Sequence, residues 1–138
     1  MFITICIPRK WITGNMADNT TSVYQIYVGL NDGDTHEQIH DISTYTKILE
    51  HVCHSYHVAF SFNVVKGGYF HEDGTYVEEN TLVLTVMGVA PDLISEIATD
   101  LCSFFNQESV MVTESASRVY FLTEGFRYAK ERDKGRNI

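Results

Sequence analysis

Hydrophobic and polar residues alternate along several stretches of the chain, a pattern typical of β-strands that bury one face. The clearest stretches are Val23–Leu30, His57–Lys66 and Tyr76–Gly88. Strand-forming residues return nearer the C-terminal end, in Ser109–Glu114 and again in Arg118–Thr123. The sequence therefore predicts four strands, the last of them drawn from two stretches.

Two further stretches carry hydrophobic residues at helical spacing. The first helix is predicted to begin near His36, where Thr35 and Gln38 form a capping-box pattern. Its hydrophobic stripe comprises Ile39, Ile42, Thr46, Leu49, Val52, Cys53 and Tyr56. The second helix is predicted to begin at Pro91, a residue favoured in the first helical position, and to end about Asn106.

The order of these elements, β-α-β-β-α-β, is that of an α+β ferredoxin-like fold, in which two helices cover one face of an antiparallel sheet. In the third strand, Leu82, Leu84 and Val86 should face the helices. The opposite, open face then carries a mixture of polar and apolar residues: Glu79, Thr81, Val83, Thr85 and Met87. A mixed face of this kind commonly packs against another subunit, so we expect a homo-oligomer.

The length of 138 residues fits one domain, which we place at residues 22–124, between a loose extension at 1–21 and a basic tail at 125–138. The formal net charge is -8, and the body is the more acidic part because five of the ten basic residues lie at 127–136. An acidic body repels phosphate, which makes nucleic acid an unsuitable partner. The tail could contact RNA or an acidic neighbour, but a solvated terminus is the simpler interpretation.

The three cysteines are far apart and odd in number, so no disulfide framework is indicated and a reducing cytoplasm fits best. No stretch approaches the ~20 consecutive apolar residues that a membrane span requires. We therefore expect neither a membrane nor a nucleic acid among the partners.

His36-Glu37-Gln38-Ile39-His40 matches HExxH, the pattern in which two histidines one helical turn apart bind zinc. On the predicted helix, however, the hydrophobic stripe centres on the side opposite both histidines, which would then point into solvent. A third ligand has no obvious place. A solvated, histidine-bearing face is therefore favoured over a zinc hydrolase, and no metal site is predicted.

Three short motifs follow one another across the second hairpin and the second helix: Gly67-Gly68-Tyr69, Glu78-Glu79-Asn80-Thr81-Leu82 and Asn106-Gln107-Glu108-Ser109-Val110. In these motifs the chain resembles the bacteriophage S-adenosylmethionine lyases, formerly called hydrolases, over roughly Val58–Leu122. The resemblance implies the same ferredoxin-like plan, which PII-type regulators also share.

Carried over by position, the resemblance places Tyr69, one glutamate of the Glu78-Glu79 pair, and Gln107-Glu108 at the substrate. Strand parity selects Glu79, because Glu78 shares the face of Leu82. The implied catalytic residues are Tyr69, Glu79 and Glu108, and the implied substrate-binding residues are Gln107, Gly68 and Ser61. Without the resemblance, Tyr69 would be a half-buried aromatic residue and the glutamates would be ordinary strand-edge charges.

The implied reaction is a lyase reaction in which the substrate's own carboxylate displaces methylthioadenosine and leaves L-homoserine lactone. A sulfonium is already a good leaving group, so the resemblance implies no metal and no cofactor. It also implies a homotrimer with sites between subunits, in the cytoplasm of an infected bacterial cell, and an anti-restriction role.

Three other functions remain open on the sequence. A PII-like sensor, or a phage-encoded protein that sequesters a nucleotide-like ligand, would use the same cleft without catalysis. A zinc hydrolase would need the HExxH histidines. A purely structural interaction domain would bind no adenosyl compound.

Overall fold

The computed structural model describes residues 20–123. Within this range the chain forms four strands and two helices in the order β-α-β-β-α-β. These are β1 (Thr20–Gly29), α1 (Ile42–Ser55), β2 (Phe60–Phe70), β3 (Tyr76–Met87), α2 (Pro91–Phe104) and β4 (Met111–Arg118). Neither helix is long and apolar enough to cross a membrane.

The four strands form one sheet in the order β2-β3-β1-β4, and every neighbouring pair is antiparallel. Strands β1 and β3 are therefore central, and β2 and β4 form the edges. This order, with two helices in the crossovers, confirms the predicted ferredoxin-like α+β fold.

The hydrophobic core lies between the helices and one face of the central strands. Ile26 of β1 pairs with Leu84 of β3, and both side chains are completely buried. The helices contribute the fully buried Leu49, Ile97 and Leu101. This is the face that the alternating pattern assigned to the core.

The predicted start of the first helix was wrong, because α1 begins at Ile42 with Asp41 at its N-cap. The Thr35 hydroxyl accepts a hydrogen bond of 3.3 Å from the N–H of Glu37. The capping box would require the N–H of Gln38 instead. His36 has a positive φ of 61°, which also excludes a continuing helix. The capping-box pattern therefore forms a local turn.

The predicted stripe of the first helix is correct only in its C-terminal half. Leu49, Val52 and Cys53 are buried, whereas Ile39 and Ile42 are exposed. Tyr45, which the pattern missed, is buried and packs edge-on against Phe105 at a centroid distance of 5.2 Å. The later helix start explains the difference, since Ile39 lies before the helix.

Strand β2 continues without a bulge through Gly67-Gly68 to Phe70, beyond Lys66, where the sequence pattern had ended it. Its pairing with β3 is regular from Phe60↔Val86 to Phe70↔Tyr76. The ring of Tyr76 lies over Gly68, where an added Cβ would come within 2.8 Å of Cζ. Gly68 thus admits a neighbouring aromatic ring and does not break the strand.

Strand β4 is a single segment rather than two stretches. It pairs with β1 from Tyr27↔Met111 to Thr20↔Arg118. The Glu114 carboxylate accepts hydrogen bonds from the hydroxyls of Ser22 (3.2 Å) and Tyr24 (3.3 Å). Cross-strand pairing therefore overrides the weak strand propensity of residues 114–117.

The β2–β3 hairpin extends beyond the rest of the sheet. Pairing between β1 and β3 ends at Gly29↔Thr81, whereas β2 and β3 remain paired as far as Phe70↔Tyr76. Thr20 and Thr21, which the domain prediction placed in the extension, belong to β1. The remainder of the predicted extension, and the tail at 125–138, lie outside the described residues.

Candidate functional site

Glu79 lies on the open face of the sheet, where the hairpin leaves the four-stranded part. It pairs directly with Gly67 of β2. On its other side, Gly29 of β1 pairs with Thr81, which places Gly29 diagonally next to Glu79 on the same face. A half-buried carboxylate is thus flanked by two residues that have no side chain.

The carboxylate of Glu79 occupies the space above Gly29. A Cβ added at Gly29 would lie 2.5 Å from one carboxylate oxygen and 2.6 Å from the other. The backbone N–H of Asn31 donates a hydrogen bond to Glu79 Oε2 at 3.2 Å. The carboxylate is therefore held against the end of β1.

Gln107, in the loop after α2, also contacts Asn31. Its Nε2 donates to the carbonyl oxygen of Asn31 at 2.5 Å and to that of Phe105 at 3.3 Å. Glu79 and Gln107 therefore hold the N–H and the C=O of one residue. Glu108 follows Gln107 and is exposed.

The loop after β1 is tied to the loop after α2 through Asp32, which is 8% exposed. Asn106 Nδ2 donates to Asp32 Oδ2 and to Asp34 Oδ2, both at 2.9 Å. Asp32 Oδ1 accepts the N–H groups of Asp34 and Thr35. These bonds, led by that from Asn106, lower the pKa of Asp32 because they favour its ionised form.

Gly33 allows these two loops to approach closely. Its N–H donates to the carbonyl oxygen of Asn106 at 2.8 Å, and an added Cβ would lie 2.7 Å from that oxygen. The position of Gln107 and Glu108 therefore depends on contacts that the first loop supplies.

Tyr69 is also on the open face, two residues beyond Gly67 along β2. Such diagonal neighbours lie roughly 7–8 Å apart, so its ring is within reach of a ligand bound at Glu79. The ring is 43% exposed and meets His71 edge-on at a centroid distance of 5.2 Å. His71 in turn meets His36 at 6.5 Å.

The structure does not bring the remaining predicted residues to this place. Gly68 pairs with Glu78 and shares the helix-covered parity, away from Glu79. Ser61 is on the open face but pairs with Thr85, six residues from Gly67 along β2 and so roughly 20 Å away. In one chain, Glu79, Gln107 and Tyr69 are grouped, with Glu108 beside Gln107.

Sequence reasoning missed Gly29, Asn31, His36 and His71 as parts of this region. A glycine inside a strand pattern signals a close approach by another group, and Gly29 carried that signal. Asn31 acts through its backbone, and the contact between His36 and His71 depends on a loop that was predicted to be helical. Residue types alone could not reveal either.

The HExxH residues do not share a helix face, because both precede α1. The ring of His40 lies edge-on to Tyr45 at 5.6 Å, whereas His36 faces the hairpin. In residues 20–123 no group of three or more His, Cys, Asp or Glu side chains could hold a metal ion.

A separate groove of about 660 Å³ lies between α2 and β4. Its walls include Ile94, Ala98, Cys102 and Val112. Gln107 borders it, but Tyr69, Glu79 and Glu108 do not. The groove is therefore distinct from the glycine-flanked carboxylate on the open face.

The buried thiol of Cys53 is unsuited to nucleophilic chemistry. Its burial, reinforced by the charge of Glu50, raises its pKa to about 12. A thiol of this kind stays protonated at neutral pH, and only the thiolate is a strong nucleophile. The chemistry available on the open face is instead that of a carboxylate, a phenol and an amide.

No protein-family model matches the sequence, and no curated protein matches it. Among solved structures, a phage SAM lyase in complex with S-methyl-5'-thioadenosine is similar with a TM-score of 0.54 and 20% sequence identity. The similarity covers 80% of this chain and 98% of that one. The apo state of a phage SAM lyase gives a TM-score of 0.52 at 20% identity, covering 76% of this chain and 94% of that one.

A second kind of neighbour is the periplasmic divalent cation tolerance protein CutA from Archaeoglobus fulgidus. Its TM-score is 0.50 at 8% identity, over 76% of this chain and 90% of that one. The resemblance to phage SAM lyases noted in the sequence therefore agrees with the structural comparison. At these identities the comparison shows a shared fold.

Proposed function

We propose that the protein is an S-adenosylmethionine lyase that releases methylthioadenosine and L-homoserine lactone. The observation that carries the proposal is the arrangement around Glu79. Its carboxylate lies on the open face between two glycines, with the Tyr69 ring on the neighbouring strand and Gln107 bound to the same residue, Asn31. Three of the residues that the sequence resemblance placed at the substrate, two from one hairpin and one from the loop after α2, thus lie at one end of the sheet.

The charge of the region suits a cationic ligand. Glu79 is bound to the backbone of Asn31, and Asp32, the next residue, is bound through Asn106 to the loop that carries Glu108. A sulfonium and an ammonium group would be attracted by the carboxylates of Glu79 and Glu108. In the proposed complex, Glu79 and Glu108 bind the ammonium group and balance the sulfonium.

The backbone at Gly67, which no carboxylate covers, suits a ligand that must lie close to the sheet. Tyr69 would orient the substrate carboxylate or amine through its hydroxyl and close one side of the site with its ring. In the reaction, a carboxylate oxygen of the substrate bonds to its own γ-carbon as the carbon–sulfur bond breaks. The electron pair of that bond passes to sulfur, which leaves as a neutral thioether.

This step needs no proton transfer to the leaving group and no nucleophile from the protein. What it needs is the folded-back substrate conformer, and holding such a conformer can be worth ~7–11 kcal/mol in favourable intramolecular cases. The reaction also removes a positive and a negative charge together, so a partly dry site favours it over the ionic ground state.

We further propose that the site is completed by a second copy of the chain, in a trimer. In one protomer the open face leaves Val65, Tyr69 and Met111 exposed. Packing copies around this face would cover these side chains and enclose the site of Glu79. The biological setting that fits is the cytoplasm of a phage-infected cell, where loss of S-adenosylmethionine would impair restriction and methylation.

The test is to incubate the purified protein with S-adenosylmethionine in H₂¹⁸O and to identify the products by mass spectrometry. The proposal predicts methylthioadenosine together with unlabelled homoserine lactone. Direct attack by water at the γ-carbon would instead give homoserine that carries ¹⁸O on its γ-hydroxyl and no lactone. If S-adenosylmethionine stays intact but raises the melting temperature of the protein, the alternative is supported. The protein would then be a PII-like or sequestering protein that binds without catalysis.

A further inference from the structure

Gly29, a neighbour of Glu79 on the open face, is important because it has no side chain. Gly29 is the last residue of β1, on the open face, and no positive φ accounts for a glycine there. An alanine would fit this backbone. What an alanine would meet is the Glu79 carboxylate, whose three terminal atoms lie 2.5–2.7 Å from the added Cβ.

The carboxylate is also fixed from the side of the backbone. The N–H of Asn31, two residues after Gly29, donates to Glu79 Oε2 at 3.2 Å. The space above Gly29 and the N–H of Asn31 together define one place for the carboxylate. A methyl group at position 29 would fill that space, and real Cβ atoms do not approach oxygen atoms within 3 Å.

We propose that Gly29 is a positioning residue: its missing side chain leaves the space in which the Asn31 N–H holds the Glu79 carboxylate for the substrate cation. The role in catalysis rests on the proposed lyase function, whereas the placement of the carboxylate does not. A glutamate side chain ends in flexible bonds, so the strand can accept an alanine by releasing the carboxylate. Gly29→Ala should therefore keep the fold and lose the contact with Asn31.

The first experiment reads the contact directly, through the Asn31 amide proton in ¹H–¹⁵N spectra of the full chain. A carboxylate acceptor shifts an amide proton downfield. We expect this resonance to move upfield in Gly29→Ala, by about as much as in Glu79→Ala, which removes the acceptor. An Asn31 resonance that stays at its wild-type position in Gly29→Ala would falsify the proposal.

Gly67→Ala is the matched control for this spectrum. Gly67 is the other glycine that flanks Glu79, but its added Cβ would meet Thr81 Oγ1 at 3.2 Å and no carboxylate atom within 4 Å. The Asn31 resonance should therefore stay near its wild-type position in this variant. If both alanines moved it equally, the effect would belong to any substitution beside Glu79, and Gly29 would have no special role.

The second experiment measures turnover of S-adenosylmethionine. Gly29→Ala should lower kcat/KM about 100-fold, the order expected when a binding group is misplaced by about an ångström. In the Glu79→Ala background the same substitution should change the residual rate little, because the group that it displaces is gone. A full 100-fold loss in that background would mean that Gly29 acts on the substrate independently of Glu79.

Failure of the positioning role and failure of the lyase function give different results. A wild-type protein without turnover would reject the lyase function, and the Asn31 resonance would still decide the positioning role. If Gly29→Ala did not fold, Gly29→Ala/Glu79→Ala should fold, because the double substitution removes the clash. A double variant that also fails to fold would contradict the proposal.

Discussion

The two faces of the sheet use the same strands for different purposes. On the helix-covered face, Ile26 and Leu84 are completely buried and belong to the hydrophobic core. On the open face of the same strands, Gly29 leaves space above its backbone, and the Glu79 carboxylate lies in that space. Alternation along a strand thus separates the residues that stabilise the fold from those that we assign to the ligand, so a substitution at one residue should affect one property and spare the other.

The largest effect should come from Glu79→Gln, which keeps the shape of the side chain and removes its charge. We expect kcat to fall about 100-fold or more, because the substrate cation loses its main counter-charge. The melting temperature should change little. Glu78→Gln is the matched control, since Glu78 points to the other side of the hairpin and accepts a hydrogen bond from the Tyr76 hydroxyl at 3.4 Å. A greater loss of kcat in Glu78→Gln would reverse the assignment.

On the covered face the expected effect is on stability. Leu84→Ala should lower the free energy of unfolding by about 2–5 kcal/mol, because it removes buried methyl groups and leaves a cavity. Thr113→Ala, on the exposed part of the open face, should change it by less than about 0.5 kcal/mol. Denaturant unfolding measures both. Equal losses would show that the open face of a single chain contributes as much to the fold as the core does.

A smaller effect should appear as a pH dependence at the loop that supports Gln107. The pKa of Asp32 is lowered in the folded state, chiefly by the hydrogen bond from Asn106. Its contribution to stability is therefore fully present above the pKa of an unfolded aspartate, about 3.9, and is lost as the pH falls through the lower folded value. The melting temperature of the wild type should therefore fall more steeply with pH in this acid range than that of Asp32→Asn. Parallel pH profiles would show that Asp32 contributes no such linkage.

The smallest effect concerns the two cysteines of the described region. Cys53 is buried and its pKa is raised to about 12, so it should resist alkylation in the native protein at pH 8. Cys102 is partly exposed beside the groove between α2 and β4, and it should react first. Peptide mass spectrometry after a short exposure to iodoacetamide compares the two. Early modification of Cys53 would indicate that the covered face opens readily.

The sequence predicted the architecture well because its strongest signals are periodic. Alternation in β1 and β3 identified the covered face, and the open-face parity of Glu79 followed from it. The error at the start of α1 occurred where a local hydrogen bond replaced the expected one. Thr35 binds the N–H of Glu37 and so forms a turn, which delays α1 to Ile42.

The candidate site was predictable only in part, since its geometry depends on backbone groups and on an absent side chain. Residue type and resemblance indicated Tyr69, Glu79, Gln107 and Glu108. Neither could indicate that the N–H and C=O of Asn31 bind two of these residues. Ser61 shares the parity of Glu79, but its position along β2 places it at the other end of the sheet.

The central claim is that the ligand binds on the open face at Glu79 and not in the groove between α2 and β4. The most direct measurement is a titration of the labelled protein with S-adenosylhomocysteine, which keeps the ammonium group and lacks the sulfonium leaving group, followed through backbone amide resonances. The account predicts the largest shifts at Gly29, Asn31 and Gly67, around the carboxylate. Shifts centred on Ala98 and Cys102, or none at saturating ligand, would contradict it.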